Sequence, residues 1–147
     1  MLRGVLAQYG EWHCAGHDVT FSVNLSPLIL QDRNFPDEVG AMLDRGEMPP
    51  HRLTFETTEG AVISDIWRAT QTLERLASMS MHLSIDDFGA GYSSLANLQR
   101  LPVEEIKVDM SFVCNMTTRA DDAVIVRSVV EMGRNLALHV VAKGVDD

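Results

Sequence analysis

The sequence predicts an α/β protein built on about five parallel strands with flanking helices. Five short apolar segments alternate with segments of helical spacing along the 147 residues, and this alternation is typical of strand–helix–strand units. A polar residue lies near the end of each apolar segment, and successive ones are roughly 30 residues apart, about the length of one such unit. These residues are Asn24, Glu56, Asp86 with Asp87, Lys107 and Lys143.

The elements of the first half of the chain follow from helical spacing and from residues that break helices. Leu2, Val5 and Leu6 fall on one face of a helix that begins the chain. Gly46 and the prolines that follow it end a second, short helix. The predicted elements are a helix over residues 1 to about 12, a strand over 19–25, a helix over 36–44 and a strand over 53–57.

The second half continues the same alternation. Ser64 is predicted to cap a helix in which Leu73 and Leu76 keep helical spacing. Asp121 and Asp122 favour the first turn of a later, long helix, since negative charge stabilises a helix N-terminus. The predicted strands here cover residues 82–85, 106–108 and 138–142, and the predicted helices cover 64–77, 93–99 and 120–136.

The most informative stretch runs from Ser84 to Leu95, where two adjacent carboxylates precede a glycine-rich turn. Oxygen ligands of this kind suit Mg²⁺ and Mn²⁺. For an isolated Asp86–Asp87 pair, the alternative is a turn that merely caps the next helix. The other polar residues favour the site, because the C-terminal ends of parallel strands converge on one edge. The pattern therefore predicts a metal- and anion-binding site there.

Composition and charge limit the partners. The net charge of −9 argues against DNA and against anionic membrane surfaces, because both repel an acidic protein. Cys14 and Cys114 are far apart and lack the spacing of metal ligands. No apolar run approaches the length of a membrane span, and no signal peptide is recognisable. We therefore expect a reduced, cytoplasmic protein.

Several motifs resemble those of the EAL domain family, the cyclic di-GMP phosphodiesterases of bacterial second-messenger signalling. They occur in the family's order and at its spacing over essentially the whole chain. They are Val-Asn-Leu-Ser at 23–26, Leu-Thr-Phe-Glu-Thr-Thr-Glu at 53–59, Asp-Asp-Phe-Gly-Ala-Gly-Tyr-Ser-Ser-Leu at 86–95, Leu-Pro-Val at 101–103, Ile-Lys-Val-Asp at 106–109, Ser-Phe-Val at 111–113 and Val-Ala-Lys-Gly-Val at 141–145. The resemblance implies a (β/α)8, TIM-like barrel.

The resemblance also implies roles for individual residues. Lys107 is expected near the attacking water and the phosphate, and Glu59 is expected to brace the loop that begins at Asp86. Two Mg²⁺ or Mn²⁺ ions would polarise the phosphodiester and activate a water, and the product would be linear pGpG. The residues that resemble the family's metal ligands are Asn24, Glu56, Asp86 and Asp87.

The chain also departs from the family pattern. We expect residues 1–147 to be a single, partial EAL domain that lacks the N-terminal signature strand with its Glu-Ala-Leu and the last barrel strand. Where the family has Ala-Glu-Gly-Val-Glu, this chain has Ala-Lys-Gly-Val-Asp at 142–146. Lys143 thus puts a cation where an acid is expected, and Asp146 shortens a second acid. The sequence predicts a weak site for one divalent ion, and pairing of Lys143 with Asp86 or Asp87.

Three functions remain open at this point. The chain is expected to be catalytically impaired and to bind cyclic di-GMP or a protein partner. The first alternative is an active metal-dependent phosphodiesterase whose site is completed by another chain. The second alternative is a remnant without a molecular task.

The sequence also predicts assembly. Five parallel strands cannot close a barrel, so we expect Phe21, Val23 and Val141 on an uncovered inner surface with open strand edges. Such surfaces invite pairing, which predicts a homo-oligomer or a complex with a partner protein. The alternative is that the N-terminal helix folds across the gap and leaves a monomer.

Overall fold

The structure is a computed structural model that describes residues 2–46, 48–91 and 95–145. The strands are β1 Phe21–Asn24, β2 Leu53–Thr58, β3 His82–Phe88, β4 Glu105–Val108 and β5 His139–Ala142. The α-helices are α1 Leu2–Cys14, α2 Pro27–Leu30, α3 Phe35–Gly46, α4 Glu59–Ile63, α5 Ile66–Ser78, α6 Leu95–Leu98, α7 Met110–Asn115 and α8 Ala120–Asn135, and a 3-10 turn covers Pro50–Arg52.

The strands form one parallel sheet in the order β1-β2-β3-β4-β5. Neighbours in the sheet are also neighbours in sequence, so a helical connection links each pair and all C-terminal ends lie at the same edge. The predicted set of about five parallel strands with flanking helices is confirmed. The register sets Asn24 opposite Glu56 and Thr58 opposite Asp86, and it is interrupted between Ile85 and Phe88.

Three short helices, α2, α4 and α7, were not predicted. Each begins one to three residues after the end of a strand, and Ser26, Thr58 and Asp109 cap them by accepting hydrogen bonds from backbone N–H groups. Helices this short carry too few residues for a periodic pattern. The predicted cap of α5 is wrong by one position, because Asp65 accepts from the Arg68 N–H whereas the Ser64 hydroxyl donates to the Ala61 carbonyl.

The main core lies between the sheet and the helices. One face of the sheet, the apolar face, carries Phe55, Leu83, Ile85 and Ile106, each at most 2% exposed. Helices α3 and α5 contribute buried residues to the same core, among them Val39, Leu73 and Leu76. This burial fixes which side of every strand faces the helices, since side chains alternate along a strand.

The opposite face of the sheet, the polar face, carries Glu56, Ser84, Lys107 and Val141. The expectation that Phe21 and Val23 lie uncovered on the inner surface is wrong. Phe21 stacks on Trp12 of α1 with ring centroids 5.6 Å apart, and Val23 is 4% exposed. Both have the strand parity of the apolar face, whereas Val141 has the other parity and is exposed as expected.

A cleft of about 420 Å³ lies over the polar face and is lined by strand residues such as Ser22, Thr54 and Lys107.

Helix α1 lies in the layer of helices, where it packs on α3 and on Phe21. Among the described residues, no helix combines the length and the apolar character needed to cross a bilayer.

Candidate functional site

The site lies where the strands end, and it consists of acidic side chains paired with the chain's two lysines. Glu56, at the end of β2, is 7% exposed. The Lys107 ammonium of β4 donates to Glu56 Oε1 over 2.5 Å. Because β3 lies between these two strands, the pair spans a strand and ties three strand ends together.

The second lysine bridges the adjacent aspartates. Lys143 Nζ lies 2.8 Å from Asp86 Oδ1 and 2.7 Å from Asp87 Oδ1. The hydrogen bond to Asp86, followed by the one to Asp87, raises the pKa of Lys143 far above its ordinary value. The ammonium is therefore charged at any physiological pH, and the predicted pairing of Lys143 with these aspartates is confirmed.

Two consecutive strand residues would normally point to opposite faces of the sheet. The interrupted register between Ile85 and Phe88 removes this constraint, because an irregular pairing can redirect a side chain. Asp87 moreover adopts a left-handed backbone with φ of +53°, a conformation that costs a non-glycine residue of the order of 1 kcal/mol. This local distortion brings both carboxylates to one ammonium.

Glu59 holds the turn that follows the aspartates. Its carboxylate is buried in a residue only 5% exposed, and Glu59 Oε2 accepts from the Gly89 N–H over 3.3 Å. A Cβ atom at Gly91 would lie 2.9 Å from Glu59 Cδ, so the backbone approaches the carboxylate as closely as glycine allows. The role of Glu59 as a brace stays a prediction, and the loop's residues 92–94 lie outside the described residues.

Asn24 reaches the same edge through its strand. It is the register partner of Glu56, and the Leu25 N–H donates to the Glu56 carbonyl over 2.7 Å. Its side chain is exposed. The structure thus places all six predicted site residues at one edge: Asn24, Glu56, Glu59, Asp86, Asp87 and Lys107. Lys107 pairs with Glu56, and Lys143 links Asp86 to Asp87.

Sequence reasoning missed the residues that position Lys143. Gly144 has a φ of +71°, and a Cβ there would lie 3.0 Å from Met110 Cβ and 3.2 Å from Cys114 Sγ. The Cys114 thiol also contacts the Gly144 carbonyl oxygen at 3.3 Å. Helix α7 therefore sets where the chain leaves β5, and the glycine after the lysine was the one signal in the sequence.

The arrangement does not fit a pair of divalent ions. The oxygens of Glu56, Asp86 and Asp87 that would face a metal accept from ammonium groups instead. Within residues 2–46, 48–91 and 95–145, no three His, Cys, Asp or Glu side chains are grouped as metal ligands. Asp146, the shortened second acid, lies outside the described residues.

A model of the EAL domain matches residues 1–147. The chain belongs to the EAL domain family. Its fold is that of these domains, which are TIM-like barrels. It is 39% identical over 156 residues to MucR of Pseudomonas aeruginosa, a bifunctional diguanylate cyclase/cyclic di-GMP phosphodiesterase, with 97% of this chain and 23% of MucR covered. It is 37% identical over 147 residues to the cyclic di-GMP phosphodiesterase NbdA of the same species, with 99% and 19% covered.

Two solved structures show the same fold. The MucR phosphodiesterase in complex with c-di-GMP superposes with a TM-score of 0.89 at 40% identity, covering 97% of this chain and 58% of the other. The EAL domain of Mycobacterium smegmatis DcpA gives a TM-score of 0.89 at 33% identity, covering 96% and 64%. The chain thus spans about a quarter or less of the curated relatives' length and less than two thirds of these solved chains.

Proposed function

We propose that this EAL domain acts in cyclic di-GMP signalling as a nucleotide- or protein-binding module with impaired hydrolysis. One observation carries the proposal: Lys143 Nζ lies between the carboxylates of Asp86 and Asp87. The relatives support the ligand, since one of them was solved in complex with c-di-GMP. The two exposed, free cysteines are compatible with a reduced cytoplasmic setting.

Impaired hydrolysis follows from what an ammonium cannot do. Metal ions in phosphodiester hydrolysis bind the attacking water and lower its pKa. The Lys143 ammonium supplies one positive charge and hydrogen-bond donors, but it has no coordination position for a water. The same charge still lowers the repulsion that three carboxylates would exert on a phosphate, so ligand binding is compatible with the arrangement.

The decisive experiment separates binding from turnover. Cyclic di-GMP is titrated into the purified chain by calorimetry with EDTA and again with Mg²⁺, and pGpG is followed by chromatography. We expect saturable binding in EDTA and no pGpG. Production at an ordinary turnover of about 1 per second or faster would contradict impaired hydrolysis. Absence of binding in both conditions would contradict the nucleotide-binding role and favour the partner-binding form or a remnant.

An active phosphodiesterase is the second candidate, because part of the predicted machinery is in place. The Lys107–Glu56 pair and the contact of Glu59 with the Gly89 N–H both lie at this edge and support that candidate. The same assay with Mg²⁺ and with Mn²⁺ tests it.

We also propose that the polar face is covered in solution by a partner protein or by a second copy. Strand β5 exposes Val141 on this face, and the cleft above it is open. Light scattering at micromolar concentration tests the second copy. A monodisperse monomer without binding of a hydrophobic dye would contradict it.

A further inference from the structure

The two lysines neutralise part of the negative charge at the strand ends. Glu56, Asp86 and Asp87 bring three carboxylates together, and Lys107 and Lys143 bring two ammonium groups to them. No other lysine occurs in the chain, so every lysine it has is paired at this edge. The two pairings differ, however, because Lys107 contacts one carboxylate whereas Lys143 contacts two on adjacent residues.

A cation is needed at the aspartate pair. The carboxylates of Asp86 and Asp87 lie 2.8 and 2.7 Å from the same nitrogen, Lys143 Nζ. Two carboxylates this close together repel each other strongly unless a positive charge lies between them. Asp86 is 15% exposed and Asp87 is 44% exposed, so water screens the repulsion less on the side of Asp86 than on the side of Asp87. Either a bound divalent ion or a side-chain ammonium can meet the requirement, and here it is the ammonium.

We infer that the Lys143 ammonium takes the place of a divalent cation between Asp86 and Asp87, so that this one side chain keeps the site free of metal. Removing its charge should convert the two carboxylates into a binding site for Mg²⁺ or Mn²⁺. The inference deepens the proposed function and rests on it in one respect, namely that the ligand is bound without a metal ion.

Tethering explains why the ammonium excludes free ions. A group attached to the chain has an effective concentration in the millimolar range or above at its own partner, and a monovalent ammonium sheds its water more readily than Mg²⁺ does. Mg²⁺ must shed tightly held water to bind two monodentate carboxylates. The ammonium of Lys143 therefore occupies the position between the two carboxylates in preference to a divalent ion, although the ion carries the larger charge.

The test compares Lys143→Gln with the wild-type chain, with nucleotide absent throughout. Binding of Mn²⁺ is measured by electron paramagnetic resonance, and thermal unfolding is recorded in EDTA and in millimolar Mn²⁺. We expect the variant to bind one Mn²⁺ at least about tenfold more tightly than wild type. We also expect Mn²⁺ to raise the variant's Tm by about 4 °C and to leave the wild-type Tm unchanged.

Three further variants serve as controls. Arg75→Gln removes the positive charge that Arg75 of α5 places beside Asp37 of α3, in a pair with a single carboxylate, and it should gain no Mn²⁺ affinity. Lys143→Arg keeps the charge at the site and should likewise gain none. The double variant Lys143→Gln with Asp86→Asn should lose the affinity that Lys143→Gln gains.

The inference is overturned if wild type and Lys143→Gln bind Mn²⁺ equally, or if the folded variant binds none. It is also overturned if Lys143→Gln is unfolded in EDTA and stays unfolded in Mn²⁺, because the ion should replace the missing charge. Failure of cyclic di-GMP to bind would instead remove the proposed function alone, since the Mn²⁺ measurements contain no nucleotide.

Discussion

The two faces of the sheet reach a stable arrangement in opposite ways. On the apolar face, Phe55, Leu83 and Ile106 are at most 1% exposed and exclude water beneath the helices. On the polar face, Lys107 and Lys143 neutralise carboxylates at the strand ends. Apolar burial is non-directional and is not subject to charge screening by salt, whereas charge pairing depends on the identity of each partner. Substitutions on the first face should therefore change stability, and those on the second should change ligand and ion preference.

The largest effect is expected from Phe55→Ala on the apolar face. Phe55 is 1% exposed and packs edge-on against Phe35 with ring centroids 5.6 Å apart. The substitution removes buried area and leaves a cavity, so the free energy of unfolding should fall by about 3–5 kcal/mol. Urea denaturation in low and in high salt measures it. If the loss of stability depends strongly on salt, the apolar face is not stabilised by apolar burial alone and the contrast between the two faces is wrong.

A smaller effect is expected from Gly91→Ala, which tests the turn next to the polar face. The added Cβ would lie 2.9 Å from Glu59 Cδ, and overpacking of this kind costs about 1–3 kcal/mol. Thermal unfolding gives the stability, and calorimetry with cyclic di-GMP shows whether the site is disturbed. Gly60→Ala in α4 is the matched control, since a Cβ there meets nothing within 4 Å; if both variants lose equal stability, the contact with Glu59 is unimportant.

Asp109 tests a single charge at the strand ends that no lysine neutralises directly. Hydrogen bonds from the Ser111 side chain and backbone lower the pKa of Asp109 below its ordinary value of 3.8. The folded pKa is the lower one, so the stabilisation is present above about pH 4 and is lost as the pH falls through the folded pKa. Asp109→Ala should cost about 1 kcal/mol at pH 7.

Asp109→Asn separates the cap from its charge. Asparagine caps a helix about as well as aspartate, so this variant should keep most of the stability and lose its contribution to the pH dependence. Unfolding between pH 3 and 7 measures both variants. If Asp109→Asn is as unstable as Asp109→Ala at pH 7, the charge matters more than the hydrogen bond to the Ser111 N–H.

The smallest effect is expected from Ser84→Ala on the polar face. Ser84 is 0% exposed, and its hydroxyl has no hydrogen-bond partner among the described residues. A buried hydroxyl without a partner is unfavourable, so its removal should be neutral or should stabilise the protein by up to about 1 kcal/mol. Urea denaturation decides it. A measurable loss of stability would show that the hydroxyl has a partner, such as a water.

The candidate site was predictable in its residues but less so in its contacts. The position of Asn24, Glu56 and Lys107 at strand ends follows from the alternation of apolar and helical segments, because parallel strands end at one edge. The assignment of residues to the two faces was harder. Phe21 and Val23 were expected on the inner, polar face but lie on the apolar face, because a short apolar run does not show which of its residues point toward the helices. Helix α7, which positions Gly144, was too short to predict.

By itself, the sequence determined the parallel α/β architecture, the resemblance to the EAL domain family and the presence of a lysine at position 143, where that resemblance leads to the expectation of an acid. Spacing and motifs are local properties, so they are readable along the chain. Only the tertiary structure decided that Asp86 and Asp87 share one ammonium. Adjacent strand residues point to opposite faces, and it took the interrupted register after Ile85 and the left-handed backbone at Asp87 to turn both carboxylates toward Lys143.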